Sequence, residues 1–256
     1  MKLFCRKFGN GQPVVILHGL FGMSDNWATI GRLLSEHYAV YIPDLRNHGQ
    51  SPHSKIFNFP ALEDDLLELV EEYGFDDICV IGHSLGGKTA MFFTLHHPDL
   101  VRKLVVVDIS LRKTPPNKEQ QLLLNAMLMV DFKGISSRTG VDKQLQSVVR
   151  SSKLRQFLLK NVYRLDSHNL DWRPNLKAIN ENLLSVFEEI SIPGIYKGPT
   201  LFIRGGLSDY VLDSDLPYLS MKFPGAEVYT IANASHWVHA DAPGEFLDVV
   251  KQFLDH

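Results

Sequence analysis

Cysteine is scarce in this chain of 256 residues: only Cys5 and Cys79 occur, and Cys79 falls inside an apolar run. A disulfide between them is possible but unneeded, and a reducing, cytoplasmic setting is the expectation. Long apolar runs are missing as well, so no stretch reaches the roughly 20 residues that a membrane-spanning helix needs. The N-terminal run Met1-Lys2-Leu3-Phe4-Cys5-Arg6 returns to charge too soon for a signal peptide. There is no excess of basic charge. With 26 Lys and Arg against 29 Asp and Glu, the formal net charge is -3, which gives no electrostatic case for nucleic acid or an anionic membrane surface. Neither G-x-G-x-x-G nor G-x-x-x-x-G-K-[ST] is present, so no dinucleotide or P-loop cofactor is indicated. His236 and His239 stand at His-x-x-His spacing, but no Cys or carboxylate cluster with ligand spacing accompanies them. No cofactor and no metal are expected.

What is present reads as alternating strands and helices. Apolar runs at Val14–Leu17, Ala39–Ile42, Ile78–Ile81 and Leu104–Val107 suit buried parallel strands, and Phe4 to Phe8 suits an edge strand turning at Gly9-Asn10-Gly11. Trp27 to Glu36, Leu62 to Tyr73 and Lys88 to His97 read as the intervening helices. From Arg112 to Pro193 no convincing strand occurs; helices are expected at Leu122–Val130, Leu145–Val149, Leu154–Tyr163 and Leu176–Phe187. Strands resume at Thr200–Ile203 and Glu227–Ile231, and a last helix starts near Asp241 to Pro243. The expected layout is an α/β core over residues 1–111 and 194–256, a mostly parallel sheet flanked by helices, with a helical cap at 112–193.

Gly82-His83-Ser84-Leu85-Gly86-Gly87 joins a predicted strand to a predicted helix. G-x-S-x-G in that position is a nucleophile elbow, in which a sharp strained turn exposes the serine hydroxyl and the flanking glycines avoid collisions. A hydroxyl is a poor nucleophile until a base takes its proton, and the base needs a third group to orient it. His236 follows the last predicted strand, where such a base belongs in chain order; His239 is its near competitor. Two acids are eligible at the carboxyl ends of strands, Asp108 and Asp209. Three residues after Gly205, the commoner slot for the acid, stands Ser208, one short of Asp209. The backbone amides of Leu20, in His18-Gly19-Leu20-Phe21-Gly22, and of Leu85 are the candidate oxyanion donors. Arg46 and Asp44 read as loop braces, Lys88 as a residue turned away from the serine, and Trp172 with Arg173 as a packed ring beside a solvated cation.

These segments together resemble the α/β-hydrolase superfamily over essentially the whole chain. Within it they are similar to the YbfF-like esterases and their mitochondrial abhydrolase-domain relatives. The features that carry the likeness are His18–Gly22, Asp44-Leu45-Arg46-Asn47-His48-Gly49-Gln50-Ser51, Gly82–Lys88, Val107-Asp108-Ile109 and His236-Trp237-Val238-His239-Ala240. Asn47 is the most specific of them, since many superfamily members carry Gly or Pro there. The resemblance implies a serine esterase or thioesterase with a helical lid, acting on short acyl esters or acyl thioesters. It also implies that the acid comes from the Val-Asp-Ile strand, which favours Asp108. Serine at position 84 separates the chain from the dehalogenase and epoxide hydrolase branches, which place aspartate there. The expected partner is thus a small-molecule ester or acyl thioester, and no feature specifies an oligomeric partner.

Overall fold

A computed structural model describes residues 1–114, 118–166 and 169–256. The chain begins with β1 (Cys5–Phe8), β2 (Gln12–Leu17), α1 (Ala28–Leu34), β3 (Tyr38–Pro43), α2 (Phe59–Tyr73), β4 (Ile78–His83), α3 (Leu85–His96) and β5 (Val101–Val107). An insertion follows, holding α4 (Lys118–Leu128), α5 (Arg138–Gln146), α6 (Ser152–Leu159), β6 (Val162–Arg164), β7 (Leu170–Trp172) and α7 (Leu176–Glu181). The chain closes with β8 (Thr200–Gly205), α8 (Leu216–Lys222), β9 (Ala226–Ile231), α9 (Val238–Asp241) and α10 (Pro243–Asp255).

Seven strands form one sheet in the order β1-β3-β2-β4-β5-β8-β9. Only β1 runs antiparallel; it pairs with β3, not with the adjacent β2, so Gly9-Asn10-Gly11 carries the chain across an intervening strand and does not close a hairpin. Every other pairing in this sheet is parallel. Two apolar layers cover it. Along β2, Val15 and Leu17 pack into one layer, Val14 and Ile16 into the other. That two-sided burial is why the strand reads as continuously apolar rather than alternating. On one face, α2 presents Leu62, Leu66, Leu69 and Val70 to the core. Its start is fixed by Asn58, whose side chain accepts from Ala61 N, and its end by Gly74 at φ 64. A side-chain cap of that kind stabilises a helix by about 1 kcal/mol, and glycine takes the left-handed conformation at no steric cost.

The insertion departs from the sequence reading in several places, among them the helix expected at Leu176–Phe187, which ends at Glu181 and gives way to a 3-10 turn at Leu183–Val186. The insertion also contains a short antiparallel hairpin, β6 with β7, where no strand was expected. Three-residue strands fall below the length at which an apolar pattern shows. The helix expected at Leu145–Val149 lies earlier, as α5, because Ser137 caps it by accepting from Gly140 N. The helix expected to reach Tyr163 stops at Leu159, since Tyr163 belongs to β6. The final helix is also preceded by a separate turn, α9, before Pro243 opens α10.

Candidate active site

The loops that leave the carboxyl ends of β2, β4, β5, β8 and β9 converge above the sheet. Between β4 and α3, Ser84 holds φ 53 and ψ -116, a region that costs a residue with a side chain about 1–3 kcal/mol and persists only where the surroundings enforce it. They do so here through glycine. A Cβ on Gly82 would stand 2.3 Å from the Gly86 carbonyl oxygen, and one on Gly86 would stand 2.3 Å from that of Leu17. The turn is pinned by Ser84 N donating to Val107 O at 3.1 Å and Lys88 N donating to Ser84 O at 2.9 Å.

His236 leaves the loop after β9 and meets Asp108 just past β5, with Nδ1 2.8 Å from Asp108 Oδ2. Asp108 is fully buried. Its other bonds come from Gly205 N to Oδ1 at 2.9 Å and Ser208 Oγ to Oδ2 at 2.5 Å. The slot that the commoner arrangement gives to the acid therefore holds a donor to the acid. Asp209 is exposed, and its backbone oxygen accepts from Arg112 Nη2 at 2.6 Å. Of the two sequence candidates, Asp108 is the one beside the imidazole. Tyr210 stacks flat on the His236 ring at 3.7 Å and 16°, and Gln120 donates to the Tyr210 hydroxyl. His83 Nε2 bonds the His236 carbonyl at 2.9 Å and fixes the loop; burial holds His83 far below the usual imidazole range, hence neutral. His239, the competing base, lies elsewhere: it is buried and stacks on Trp27 at 4.0 Å.

The loop after β2 carries the predicted oxyanion donor. Gly22 N donates to Gly19 O at 2.9 Å, Phe21 takes φ 59, and Phe21 N donates to His48 Nε2 at 3.2 Å. His18 receives Leu45 N on Nε2 and bonds Gly19 O through Nδ1 at 2.8 Å, while His48 Nδ1 bonds Arg46 O. Each ring accepts on Nε2, so each carries its proton on Nδ1. Burial pulls His18 down to about 4 and His48 down to about 3, which keeps both neutral in these roles. The two polar motifs thus interlock as a brace. Asp44 accepts Ser24 N and Gln50 N, and Arg46 pairs with Asp65 through two bonds of 2.6 and 2.7 Å. Among the described residues, the amides of Leu20 and Leu85 donate to no protein acceptor. Both residues line a small apolar cavity with Ser84, Lys88, Ile109, Val186 and Phe187. A second small cavity brings Ser84 together with His236, Leu20 and Trp237.

Lys88, one turn along α3 from Ser84, is buried, and its Nζ donates to Arg112 O, Glu188 O and Phe187 O at 2.9, 2.6 and 3.4 Å. It thereby ties both ends of the insertion to the helix behind Ser84, and burial lowers it to about 8. Trp172 is packed as expected, donating Nε1 to Met127 O at 3.0 Å, and Arg173 lies over the Tyr163 ring. His18, His48, His83, Tyr210 and Asn161, whose Nδ2 donates to Phe21 O at 2.8 Å, are the residues of this region that sequence reasoning passed over. The three histidines lie inside the quoted motifs and carried that signal; Tyr210 and Asn161 stand in segments without any.

The sequence pattern of the alpha/beta hydrolase fold family matches residues 12–243. The sn-1-specific diacylglycerol lipase ABHD11 of Mus musculus is 39% identical over 249 residues, 94% of this chain and 80% of that protein. Esterase YbfF of Escherichia coli is 32% identical over 247 residues, 96% of this chain and 94% of its own. Among solved structures, a marine microorganism esterase superposes with a TM-score of 0.96 at 38% identity, covering 98% of this chain and 99% of that one. With the parallel sheet, the strained serine turn and matches of this extent, the chain belongs to the alpha/beta hydrolase family, among relatives that include YbfF and ABHD11.

Proposed function

We propose that this protein is a serine hydrolase of carboxylic esters or acyl thioesters that works through an acyl-enzyme. The observation that carries the reading is one arrangement: a strained serine, an imidazole held by a buried carboxylate, and two amides that donate to no acceptor among the described residues, beside two small cavities that both border Ser84 and Leu20. Because Nδ1 of His236 faces Asp108, Nε2 is the nitrogen left to take the Ser84 proton. Ser84 Oγ attacks the acyl carbon, and the negative charge that forms on the carbonyl oxygen is received by Leu20 N–H and Leu85 N–H. Collapse expels the alcohol or thiol, which takes the proton from His236. Water then attacks the acyl-enzyme, with His236 again as base, and releases the acid. Asp108 orients the ring and favours its cationic form in each transition state.

The insertion at 112–193 serves in this reading as the cap over the acyl pocket. Its residues Val186 and Phe187 join Leu85 and Ile109 at the cavity wall, an apolar lining suited to a short acyl chain. The related mouse protein bears a name for cleaving diacylglycerol at its sn-1 position and YbfF one for ester cleavage, and both names describe acyl transfer from oxygen to water. Among the described residues no helix is long and apolar enough to cross a membrane, and Cys5 and Cys79 are free thiols, which fits a reducing cytoplasmic setting. The test is p-nitrophenyl ester turnover across acyl lengths, with wild type beside Ser84→Ala. Wild type turns over short acyl esters fastest, and Ser84→Ala keeps its fold by circular dichroism while losing at least roughly a thousandfold in kcat. Equal turnover by the two proteins contradicts the assignment.

A further inference from the structure

We propose that Asn161, in the cap, is a positioning residue for the oxyanion hole, acting on the Leu20 N–H through two intervening peptide groups; the inference rests on the ester-hydrolase reading above. Asn161 is fully buried just beyond α6. Its Nδ2 donates to Phe21 O at 2.8 Å, and only the amide nitrogen of an Asn can face a carbonyl oxygen in this way. Phe21 O shares its peptide group with Gly22 N, which donates to Gly19 O at 2.9 Å. Gly19 O, which also accepts from His18 Nδ1 at 2.8 Å, shares its peptide group with Leu20 N, which donates to no acceptor among the described residues.

The donors therefore run head to tail: Asn161 to Phe21–Gly22, Phe21–Gly22 to Gly19–Leu20, and Leu20 N–H toward the substrate oxygen. A peptide group that accepts at oxygen becomes a better donor at nitrogen, by about 10–30% per bond. The chain thus both aims and strengthens the terminal donor. Geometry demands it at Phe21, which holds φ 59; a non-glycine residue in that region relaxes unless it is tethered. His48 tethers its nitrogen and Asn161 its oxygen, one from the core and one from the cap. A Cβ on Gly22 would stand 2.9 Å from Gly19 O, so the middle link also needs glycine.

A structural role explains this asparagine poorly. Its backbone bonds, N to Leu158 O and O from Arg173 N, each at 2.9 Å, do not need its side chain. Its Oδ1 is buried with no partner among the described residues, a cost that an apolar residue would avoid. The link to Phe21 O is its one side-chain bond among the described residues. It links the cap to the loop that carries the Leu20 N–H, a loop that His18 and His48 hold from the core.

The experiment compares wild type, Asn161→Ala and Asn161→Asp for kcat and KM on a short p-nitrophenyl ester and for inhibition by a trifluoromethyl ketone, whose adduct with serine carries the oxyanion. Expected for Asn161→Ala is a kcat lower by roughly ten- to a hundredfold, with KM within about twofold and ketone affinity weakened in proportion to kcat. Asn161→Asp keeps the shape and exchanges the donor for an acceptor. Its activity relative to wild type should rise as the pH falls and the carboxyl gains a proton to donate to Phe21 O. A raised KM with kcat and ketone affinity unchanged would make Asn161 a cap strut and overturn the proposal, as would wild-type values throughout. Should the alanine variant not fold, the pH profile of Asn161→Asp decides alone, a flat ratio to wild type overturning the proposal. A wild type without ester turnover is a different failure: it removes the hydrolase reading, and this inference with it.

Discussion

Asp108 gathers Gly205 N, Ser208 Oγ and His236 Nδ1 on its two oxygens. Its own backbone sits at φ 49, with its N–H donating to Ile203 O at 2.8 Å. The strained turn sends the carboxylate sideways toward the loop after β8, where the second acid candidate stands. Replacing Asp108 by Asn keeps the shape but offers Nδ1 an amide donor in place of an acceptor, which favours the wrong tautomer of His236. Asp108→Asn is accordingly expected to lose roughly a thousand- to ten-thousandfold in kcat with KM little changed. Asp209→Asn, at an exposed side chain, should stay close to wild type. Steady-state kinetics of the two variants side by side checks this; comparable losses in both, or a loss confined to Asp209→Asn, contradict the assignment. At this scale the sequence displayed Ser84 and His236 through their local motifs, and it displayed both acids. Spacing along the chain left the choice between the acids open, because the slip of one residue after Gly205 does not tell which way Ser208 points, and in the structure it donates to Asp108.

The core strands were visible because each is buried on both faces, which leaves uninterrupted Val, Ile and Leu runs such as Val14–Leu17 and Leu104–Val107. The α2 stripe was visible for the matching reason, a helical spacing of leucines that ends at a glycine. The insertion hid its hairpin because its short strands are held by tertiary contacts more than by local pattern. Trp172 of β7 packs on Phe132 and donates to Met127 O, partners some 40 residues upstream. Lys88 shows the same limit. A lysine inside an apolar helix reads as an anomaly, and only the carbonyls of Arg112, Phe187 and Glu188 give it a purpose. Likewise α9 is a single turn ahead of Pro243, too short to separate from α10 by periodicity.

Across the whole molecule, the framework around the serine depends on histidines that stay neutral. His18 is lowered to about 4, and His48 and His239 to about 3, in each case chiefly by burial. In the unfolded chain a histidine titrates near 6.5. A folded pKa below the unfolded one means the unfolded state binds more protons as the pH falls. The stability these groups contribute is therefore fully present above about 6.5 and is lost progressively toward their folded values. By pH 5 each should have cost about 2 kcal/mol. Urea unfolding between pH 7.5 and pH 5 is expected to show a steep fall in stability; a flat profile would contradict neutral burial of these rings. The central claim, however, is covalent. The measurement that tests it most directly is the mass of the intact chain, quenched during turnover of a p-nitrophenyl ester, followed by peptide mapping. The account predicts one added acyl group per chain, on the peptide that contains Ser84, accumulating in step with an initial burst of p-nitrophenol. Turnover without any acylated chain, or an acyl group on another residue, would contradict it.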